Sequence, residues 1–233
     1  MSGREFRAVL FDLLTGLIDS WTLWDSVAGN REDGRRWRAA YLQNTYAEGR
    51  YRPYEALVRE AAVESGLPPE LGDRLAARYD ELSPWPEATE ILSQLQGIFS
   101  LGIVTNCSEA LGRLAVSRTG IEFDTVVTAE RAGFYKPHPG PYLLALEELG
   151  VTADDTLFVA GSAYDLSGAA AVGMPVFWHD RIGMAMPPGT PPPLVPRDKP
   201  AAAAIPGFRR SDAERPPVNP HRLAQPSSHR FRL

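Results

Sequence analysis

Short apolar runs alternate with amphipathic segments along most of this chain, and this alternation limits the fold more than any other feature. The apolar runs are typical of buried strands and lie at residues 7–12, 99–106, 124–128, 156–161 and 175–178. The segments between them carry Leu, Ile or Ala at helical spacing and lie at residues 87–96, 109–118, 141–149 and 166–172. Parallel strands need a crossover connection, usually a helix, so the pattern predicts an α/β fold with a doubly wound parallel sheet.

One long segment interrupts this alternation directly after the first predicted strand. Residues 20–84 contain no strand-like run, and amphipathic helices separated by Gly and Pro are predicted at residues 35–48, 54–65 and 70–82. Because the segment leaves from the carboxyl end of the first strand, we expect it to cover that end. The sequence therefore predicts an α/β core domain formed by residues 1–19 and 85–182, and a helical cap domain at residues 20–84.

The last part of the chain differs in composition from the rest. From Met186 onward it holds 12 of the 21 prolines and a run of four alanines, and it has few residues that could build a core. We therefore predict a Pro-rich, disordered tail at residues 183–233.

The charge distribution argues against nucleic acid as a partner. The formal net charge is -5, and residues 197–233 hold eight of the 24 Lys and Arg residues but only three of the 29 Asp and Glu residues. The remainder is therefore strongly acidic and repels nucleic acid. The basic residues of the tail are scattered, whereas a nucleic-acid groove would interleave them with aromatic side chains.

Composition also limits the compartment and the cofactor. No apolar run approaches the roughly 20 residues that a membrane helix needs, and the charged first seven residues run straight into a predicted strand. A single cysteine, Cys107, allows no internal disulfide, and the four histidines show no zinc-ligand spacing. We expect a cytoplasmic protein without membrane contact, signal peptide or metal site.

Polar residues stand at the carboxyl ends of the predicted strands, where ligands bind in an open α/β sheet. They are Asp12, the pair Thr105 and Asn106, Lys136 in a loop, and Ser162 with Asp165. Each alone has a simpler interpretation, since Thr105, Asn106 and Asp165 are typical helix caps and a surface lysine is common. Their order along the chain is the specific signal.

An acid, then Thr-Asn, then Lys-Pro, then Gly-Ser-Ala-Tyr-Asp resembles the four motifs of the haloacid dehalogenase superfamily, over residues 6–182. The closest resemblance is to the L-2-haloacid dehalogenases. It is carried by FDLLTGLID at the first strand, by VAGSAYD in the last motif, by Trp37 and Arg38, and by the spacing of Lys136 and Tyr142. The resemblance implies a Rossmann-like core and a hydrolase that acts on carbon-halide bonds.

Leu14 separates the two main activities of the superfamily. Phosphatases carry a second aspartate two residues after the nucleophile, and this aspartate protonates the leaving group. Leucine cannot donate a proton and is expected to contact the substrate instead. Halide leaves carbon as a stable anion and needs no proton, so Leu14 favours hydrolytic dehalogenation of short 2-haloacids to 2-hydroxyacids.

The resemblance assigns catalytic roles to four residues. Asp12 would attack the α-carbon and carry an ester that water then cleaves at the Asp12 carbonyl. Lys136 would keep Asp12 ionised, because an apolar pocket otherwise favours the protonated form. Asp165 would orient Lys136 and the water. Ser162, with Ala160, replaces a serine and asparagine of the dehalogenases that help to hold this water, and one hydroxyl remains there.

The resemblance also assigns the substrate contacts. Arg38 would receive the halide or face the substrate carboxylate, with Asn106 as a neutral donor, and Thr105 would bind that carboxylate. Tyr142 and Tyr164 would wall the pocket. The competing interpretations are a solvated Arg38 paired with an acid and two tyrosines that belong to the core. The usual Gly-Thr after the nucleophile is inverted to Thr15-Gly16, which would aim the hydroxyl away from Asp12.

Two alternative functions stay open at this point. One is a phosphatase that acts on a small phosphate ester with Mg²⁺ held by Asp12 and Asp165; only this alternative needs a cofactor. The other is a binding or regulatory protein of low activity, which the departures from the motifs favour. In either enzyme the partner is a small molecule, and a homodimer is left open.

Overall fold

The computed structural model describes residues 6–193 and contains one parallel sheet of five strands. The strands are β1 (Ala8–Phe11), β2 (Ser100–Thr105), β3 (Thr125–Thr128), β4 (Thr156–Ala160) and β5 (Val176–Trp178), in the order β3-β2-β1-β4-β5. All five predicted strands are present, with ends that differ by at most one residue. The predicted doubly wound parallel α/β fold is therefore confirmed.

The central position of β1 explains why polar residues from distant motifs meet. Phe11 lies beside Ile103 of β2 on one side and Val159 of β4 on the other. The carboxyl ends of these three strands are therefore level, and the residue that follows each strand faces the same edge. A backbone hydrogen bond of 2.9 Å from Asp12 to the Val159 carbonyl extends the β1–β4 pairing to the nucleophile candidate.

Both faces of the sheet are buried, as a parallel sheet requires. Successive side chains of a strand point to opposite faces, and Val9 and Phe11 accordingly join one hydrophobic cluster while Leu10 joins the other. Apart from the helices of residues 20–82, which are described below, the helices that follow β1 are α5 (Ala88–Leu95), α6 (Glu109–Ser117), α7 (Ala129–Ala132), α8 (Pro139–Leu149) and α9 (Asp165–Ala171). Only α7 was not predicted, because four residues are too few for a helical period to show.

The segment between β1 and β2 is helical, and we call residues 20–82 the helical insertion. It contains α1 (Ser20–Ala28), α2 (Arg31–Glu48), α3 (Tyr54–Glu64), α4 (Glu70–Ala77) and a 3-10 turn at Tyr79–Glu81. The sequence analysis missed α1, placed the start of α2 four residues too late and carried α4 into the 3-10 turn. A cap for α1 was present in the sequence, since the Asp19 side chain accepts a hydrogen bond from Thr22 N. The proposed division into core and cap domains stays a prediction.

Two backbone contacts join the helical insertion to the sheet. At its ends, Ile18 pairs with Pro84 in an isolated bridge. In its middle, the loop after α2 pairs with the loop before α8, where Tyr51 N donates to Gly133 O at 2.9 Å and Tyr135 N donates to Gly49 O at 2.8 Å. The second contact places α2 directly beside Lys136.

The described start of the predicted tail is in contact with the sheet. Within residues 183–193, Met184 Sδ lies 3.6 Å from the Ser162 hydroxyl and 3.4 Å from the backbone N of Ala163. The rest of the predicted disordered tail lies outside the described residues. Among residues 6–193 no helix has both the length and the hydropathy that crossing a membrane would require.

Candidate active site

Asp12, Lys136 and Asp165 form one buried cluster at the carboxyl edge of the sheet. The Lys136 Nζ atom lies 2.9 Å from Asp12 Oδ1 and 2.9 Å from Asp165 Oδ1. Lys136 and Asp165 are inaccessible to solvent, and Asp12 is 6% exposed. The sequence analysis predicted that these three residues would meet, and the structure brings them together as an ammonium between two carboxylates.

Burial and charge act in opposite directions on this cluster. Burial lowers the pKa of the Lys136 ammonium, but the charges of Asp12 and Asp165 outweigh it, and the resulting pKa lies above the usual lysine value. Burial also raises the pKa of Asp165, to about 6, against the opposing charge of Lys136. Lys136 therefore stays charged at neutral pH, and Asp165 is a carboxylate whose proton affinity suits a base near neutrality.

The loop after β1 is folded tightly around Asp12. The backbone N–H of Gly16 donates to Asp12 Oδ2 at 3.2 Å. A Cβ at Gly16 would lie 2.3 Å from the Asp12 carbonyl oxygen, and a Cβ at Gly161 would lie 2.1 Å from Gly16 N. Both glycines are therefore required by close packing of the loops after β1 and β4. In the inverted Thr15-Gly16 order, the glycine therefore stands at the position where a Cβ would collide with the Asp12 backbone.

Asn106 holds the backbone of Lys136. Its Oδ1 atom accepts from Lys136 N at 2.7 Å, and its Nδ2 group donates to Lys136 O at 3.1 Å. This pair of hydrogen bonds fixes the start of the Lys136 side chain, and one amide hydrogen remains for a ligand. The hydroxyl of Tyr41 on α2 donates to the Asn106 carbonyl at 2.7 Å and links this position to the helical insertion.

Arg38 is buried without a carboxylate partner. It is 1% exposed, and its guanidinium lies 4.8 Å from the ring centre of Trp21 and 5.2 Å from that of Trp24. Its Nη2 atom donates to Leu14 O and Thr15 Oγ1, each at 3.2 Å. Nε and Nη1 have no hydrogen-bond partner among residues 6–193. The competing interpretation of a solvated, acid-paired arginine is therefore wrong. A buried cation normally has a counter-charge, and Nε and Nη1 are free to donate to an anion.

These groups line one small cavity between the sheet and the helical insertion. Its volume is about 20 Å³, and it is lined by Asp12, Leu14, Thr15, Arg38, Tyr41, Leu42, Tyr46, Thr105, Asn106 and Ser162. The Thr105 hydroxyl is buried and has no partner in the described part of the chain. The cavity thus has a carboxylate at one wall, a guanidinium at another and a free hydroxyl. It has room for about one water molecule, so a larger ligand requires the walls to move apart.

A family comparison decides to which proteins this arrangement belongs. Residues 6–173 match the family of hydrolases described as haloacid dehalogenase-like hydrolase. The chain belongs to the haloacid dehalogenase-like hydrolases. The cluster of Asp12, Lys136 and Asp165 therefore sits in a fold whose family performs hydrolysis.

Relatives of this haloacid dehalogenase-like hydrolase include both dehalogenases and a phosphatase. A (S)-2-haloacid dehalogenase of Xanthobacter autotrophicus is 30% identical over 188 residues, which are 73% of each chain. The solved structure of an L-2-haloacid dehalogenase from Xanthobacter autotrophicus with chloropropionic acid covalently bound matches this chain with a TM-score of 0.68 at 28% identity. The match covers 76% of this chain and 78% of that one. A phosphoglycolate phosphatase of Xylella fastidiosa is 35% identical over 191 residues, which are 75% of this chain and 81% of that protein.

Two of the predicted pocket residues of this haloacid dehalogenase-like hydrolase lie outside the small cavity. Tyr142 is buried against Phe158, and its hydroxyl donates to Asp165 Oδ1 at 3.3 Å. Tyr164 lines a neighbouring cleft between α2, α9 and residues 187–190. Neither ring is a wall of the cavity around Asp12, because Tyr142 lies beneath Asp165 and Tyr164 is separated from the cavity by Tyr46.

The sequence analysis missed the aromatic side chains that the helical insertion contributes. Tyr46 donates to Asp165 Oδ1 at 2.7 Å and stacks on Tyr164 with ring centres 5.1 Å apart. Trp21 and Trp24 enclose Arg38. Tyr46 lies two turns along α2 from Arg38, and this helical spacing places it on the same face as Arg38 without showing its partner. Trp21 and Trp24 lie on α1, which was not predicted.

The site does not fit a magnesium ion in its present arrangement. Both carboxylates that could ligate the ion already share the Lys136 ammonium, and the Leu14 carbonyl accepts from the Arg38 guanidinium. No group of three or more His, Cys, Asp and Glu side chains with metal-binding geometry occurs within residues 6–193. The Lys136 ammonium lies between the two carboxylates, so its charge opposes binding of a divalent cation to them.

Proposed function

We propose that this protein hydrolyses short 2-haloacids to 2-hydroxyacids through an ester on Asp12, and that it needs no cofactor. The observation that carries the proposal is the composition of the small cavity. Lys136 holds the Asp12 carboxylate at one wall, and Arg38 presents two unpartnered nitrogen atoms at another. A haloacid supplies two anions in one reaction, its own carboxylate and the departing halide, and the cavity offers donors for both.

The first step is a displacement at carbon. An Asp12 oxygen attacks the α-carbon, a new C–O bond forms, and the carbon-halogen bond breaks with its electron pair leaving on the halide. No proton is transferred, so Leu14, which lines the cavity two residues after Asp12, is sufficient at that position. Arg38 stabilises the negative charge that develops on the halide, and its burial strengthens this interaction because water does not screen it.

The second step is hydrolysis of the ester. Water attacks the Asp12 carbonyl carbon, its proton goes to Asp165, and the bond to the hydroxyacid oxygen then breaks as that oxygen takes the proton. Asp165 Oδ1 already accepts hydrogen bonds, whereas Oδ2 has no partner in the described residues and remains for the water. Lys136 Nζ contacts one Asp12 oxygen and Gly16 N–H the other, so the oxygen that remains the ester carbonyl has a donor that stabilises the oxyanion.

Isotope transfer tests the covalent intermediate directly. After single turnover of L-2-chloropropionate in H₂¹⁸O, we expect the heavy oxygen in the Asp12 carboxylate, since water attacks that carbonyl, and not in the product. Mass spectrometry of the peptide that contains Asp12 measures this. Heavy oxygen in the hydroxyacid after one turnover, with none in Asp12, would mean that water attacks the substrate carbon directly and would sink the mechanism.

Metal independence separates this function from the phosphatase alternative, which the Xylella fastidiosa relative favours. We expect chloride release from L-2-chloropropionate to be unchanged by EDTA or added Mg²⁺, because Lys136 and Arg38 supply the positive charge. Phosphate release from p-nitrophenyl phosphate with Mg²⁺ is expected to stay at background, because Leu14 cannot protonate the leaving group. Phosphate release that depends on Mg²⁺, without chloride release, would favour the alternative.

Replacement of Arg38 by lysine tests the anion receptor. The variant keeps the charge but loses the planar fork that reaches Leu14 O, Thr15 and the cavity together. We expect kcat/KM for L-2-chloropropionate to fall by about 10- to 100-fold, the value of one or two hydrogen bonds to a charged group. Arg35→Lys is the matched control, because Arg35 also lies over the Trp21 ring but is paired with Asp25. Equal effects of both substitutions would mean that Arg38 contributes through packing and not by binding an anion.

The remaining expectations belong to this proposal. We propose that the helical insertion is the cap that closes over the small cavity, since α2 contributes Arg38, Tyr41 and Tyr46 to its lining. Thr105 and Asn106 would bind the substrate carboxylate through the free hydroxyl and the second amide hydrogen. Ser162 would contact the hydrolytic water from the loop after β4. A location in the cytoplasm and a homodimer stay predictions.

A further inference from the structure

Tyr46 connects the helical insertion to Asp165, which is the general base of the proposed reaction. It lies on α2, and its hydroxyl donates to Asp165 Oδ1 over 2.7 Å, across the boundary between the helical insertion and the sheet. Asp165 begins α9 on the sheet side of that boundary. Tyr46 therefore lies on the helical insertion, and its hydroxyl donates a hydrogen bond to Asp165. In the proposed mechanism this carboxylate accepts the proton of the attacking water.

Asp165 Oδ1 is contacted by three donor groups that belong to different parts of the fold. Lys136 Nζ lies 2.9 Å away, Tyr46 Oη 2.7 Å and Tyr142 Oη 3.3 Å. Lys136 and Tyr142 lie on the sheet side of the boundary, in the loop before α8 and on α8, whereas Tyr46 lies on the helical insertion. The Tyr46 hydroxyl is the shorter of the two tyrosine bonds, and separation of α2 from α9 would remove it.

The direction of the electrostatic effect follows from the groups that face Asp165. Burial and the Asp12 charge raise its pKa, whereas the Lys136 charge and the hydrogen bonds from Lys136 and Tyr46 lower it. Burial raises the pKa of the Tyr46 phenol well above 10, so the hydroxyl keeps its proton and remains a donor at neutral pH. A donor to the charged form of a carboxyl favours that form.

The ring of Tyr46 holds this donor in one position. It stacks on Tyr164, with ring centres 5.1 Å apart, and lines both the small cavity and the neighbouring cleft. The ring therefore forms the partition between the two spaces, and its own orientation is set by Tyr164 rather than by solvent. Phenylalanine would keep this stacking and remove only the hydroxyl.

We propose that Tyr46 is a positioning residue that completes the water-activating base, because it holds Asp165 as an oriented carboxylate only while the helical insertion lies against the sheet. This inference rests on the proposed dehalogenase mechanism for the role of Asp165, and it adds the residue that couples closure of the cavity to the hydrolytic step. Formation of the ester on Asp12 does not use Asp165 as a base and proceeds without the Tyr46 hydroxyl.

Titration of the Asp165 carboxyl tests the contact without any activity. In protein labelled with ¹³C at the aspartate carboxyls, with the signal assigned through Asp165→Asn, we expect Tyr46→Phe to raise the Asp165 midpoint by about one pH unit, the value of one hydrogen bond to a charge. Tyr142→Phe removes the longer bond and should give a smaller shift. Tyr51→Phe changes a tyrosine of the same insertion that stacks on Tyr135, away from Asp165, and should give no shift.

Kinetics test the consequence for the reaction. In Tyr46→Phe we expect the acid limb of the kcat profile to move to higher pH by the same amount, because ester hydrolysis needs ionised Asp165. The kcat/KM profile reports ester formation and should not move. At pH 6 the ester on Asp12 should accumulate to several times the wild-type level after substrate is added, as measured by mass spectrometry of the quenched protein. An unchanged Asp165 midpoint with unchanged ester levels would overturn the inference.

The two measurements separate this inference from the proposed function. If the wild-type protein releases no chloride from 2-haloacids, the proposed function fails, while the Asp165 midpoint still decides whether Tyr46 controls that carboxyl. If chloride is released and Tyr46→Phe shifts the midpoint without raising the ester level, Asp165 is not the base, and the inference fails while the nucleophilic role of Asp12 stands.

Discussion

Replacement of Asp12 by asparagine is expected to lower chloride release from L-2-chloropropionate by a factor on the order of 10⁴ or more, because no other group in the small cavity can take over as nucleophile. The amide nitrogen and oxygen of asparagine keep the shape of the side chain. They carry no negative charge with which to attack carbon. Initial rates measured with a chloride electrode give the size of the loss.

The same substitution has a second expected effect that does not depend on turnover. The Asp12 charge raises the pKa of Asp165, so its removal should lower that pKa from its value of about 6. Asp73→Asn is the matched control, because Asp73 is an exposed aspartate of α4 paired with Arg59. Retention of more than a few per cent of wild-type turnover by Asp12→Asn would show that the nucleophile is elsewhere.

Replacement of Lys136 by methionine is expected to reduce both stability and activity. Methionine is similar in length but removes the charge between Asp12 and Asp165, and two buried carboxylates then face each other without a cation. Breaking a buried ion pair in this way costs about 3–5 kcal/mol of unfolding free energy. Loss of the group that stabilises the oxyanion should lower kcat by about 10²–10³-fold.

The stability effect of Lys136→Met should depend on pH in a defined direction. Without the lysine charge the pKa of Asp165 rises further above its unfolded value, so the folded protein can relieve the repulsion by taking up a proton at low pH. The destabilisation is therefore expected to be largest at pH 8 and smaller at pH 5, which urea unfolding at both values measures. Arg113→Met, which removes an exposed cation paired with Glu109, should change stability little at either pH. Equal losses at both pH values for Lys136→Met would contradict the electrostatic explanation.

The sheet and its site residues could be predicted because the information is local. Each strand is a short apolar run, and parallel strands align their carboxyl ends, so the residues that follow the runs must meet. Asp12 and Asp165 follow from this rule directly. Lys136 follows only from its loop position and its order among the motifs, since nothing near it in sequence shows that its ammonium would be fully buried.

The contribution of the helical insertion could not be predicted in the same way. Its helices carry apolar residues that pack both within the insertion and against the sheet. The sequence therefore does not show which of their side chains reach the site. Arg38 was identified through a motif, but its burial between Trp21 and Trp24 depends on α1, which was not predicted. Tyr46 contacts Asp165 across 119 positions of sequence, and no local pattern records such a contact.

Some side chains of the predicted site are engaged in contacts that the sequence did not reveal. Asn106 was predicted as a donor to the substrate, and both its oxygen and one amide hydrogen are used by the Lys136 backbone. Tyr142 was predicted as a pocket wall and is instead a donor to Asp165. Hydrogen-bond satisfaction of this kind is a property of the packed interior and does not follow from residue type or spacing.

The backbone pairing between residues 49–51 and 133–135 limits how the helical insertion can move. A hinge at Ile18 and Pro84 alone would let the insertion swing as a rigid arm, but the bonds from Tyr51 to Gly133 and from Tyr135 to Gly49 tie its middle to the loop that ends at Lys136. Admission of substrate must therefore either break these two bonds or carry Lys136 outward with the arm. The amide protons of Tyr51 and Tyr135 are thus internal reporters, and their hydrogen-exchange rates would give the frequency with which the enzyme admits a substrate molecule.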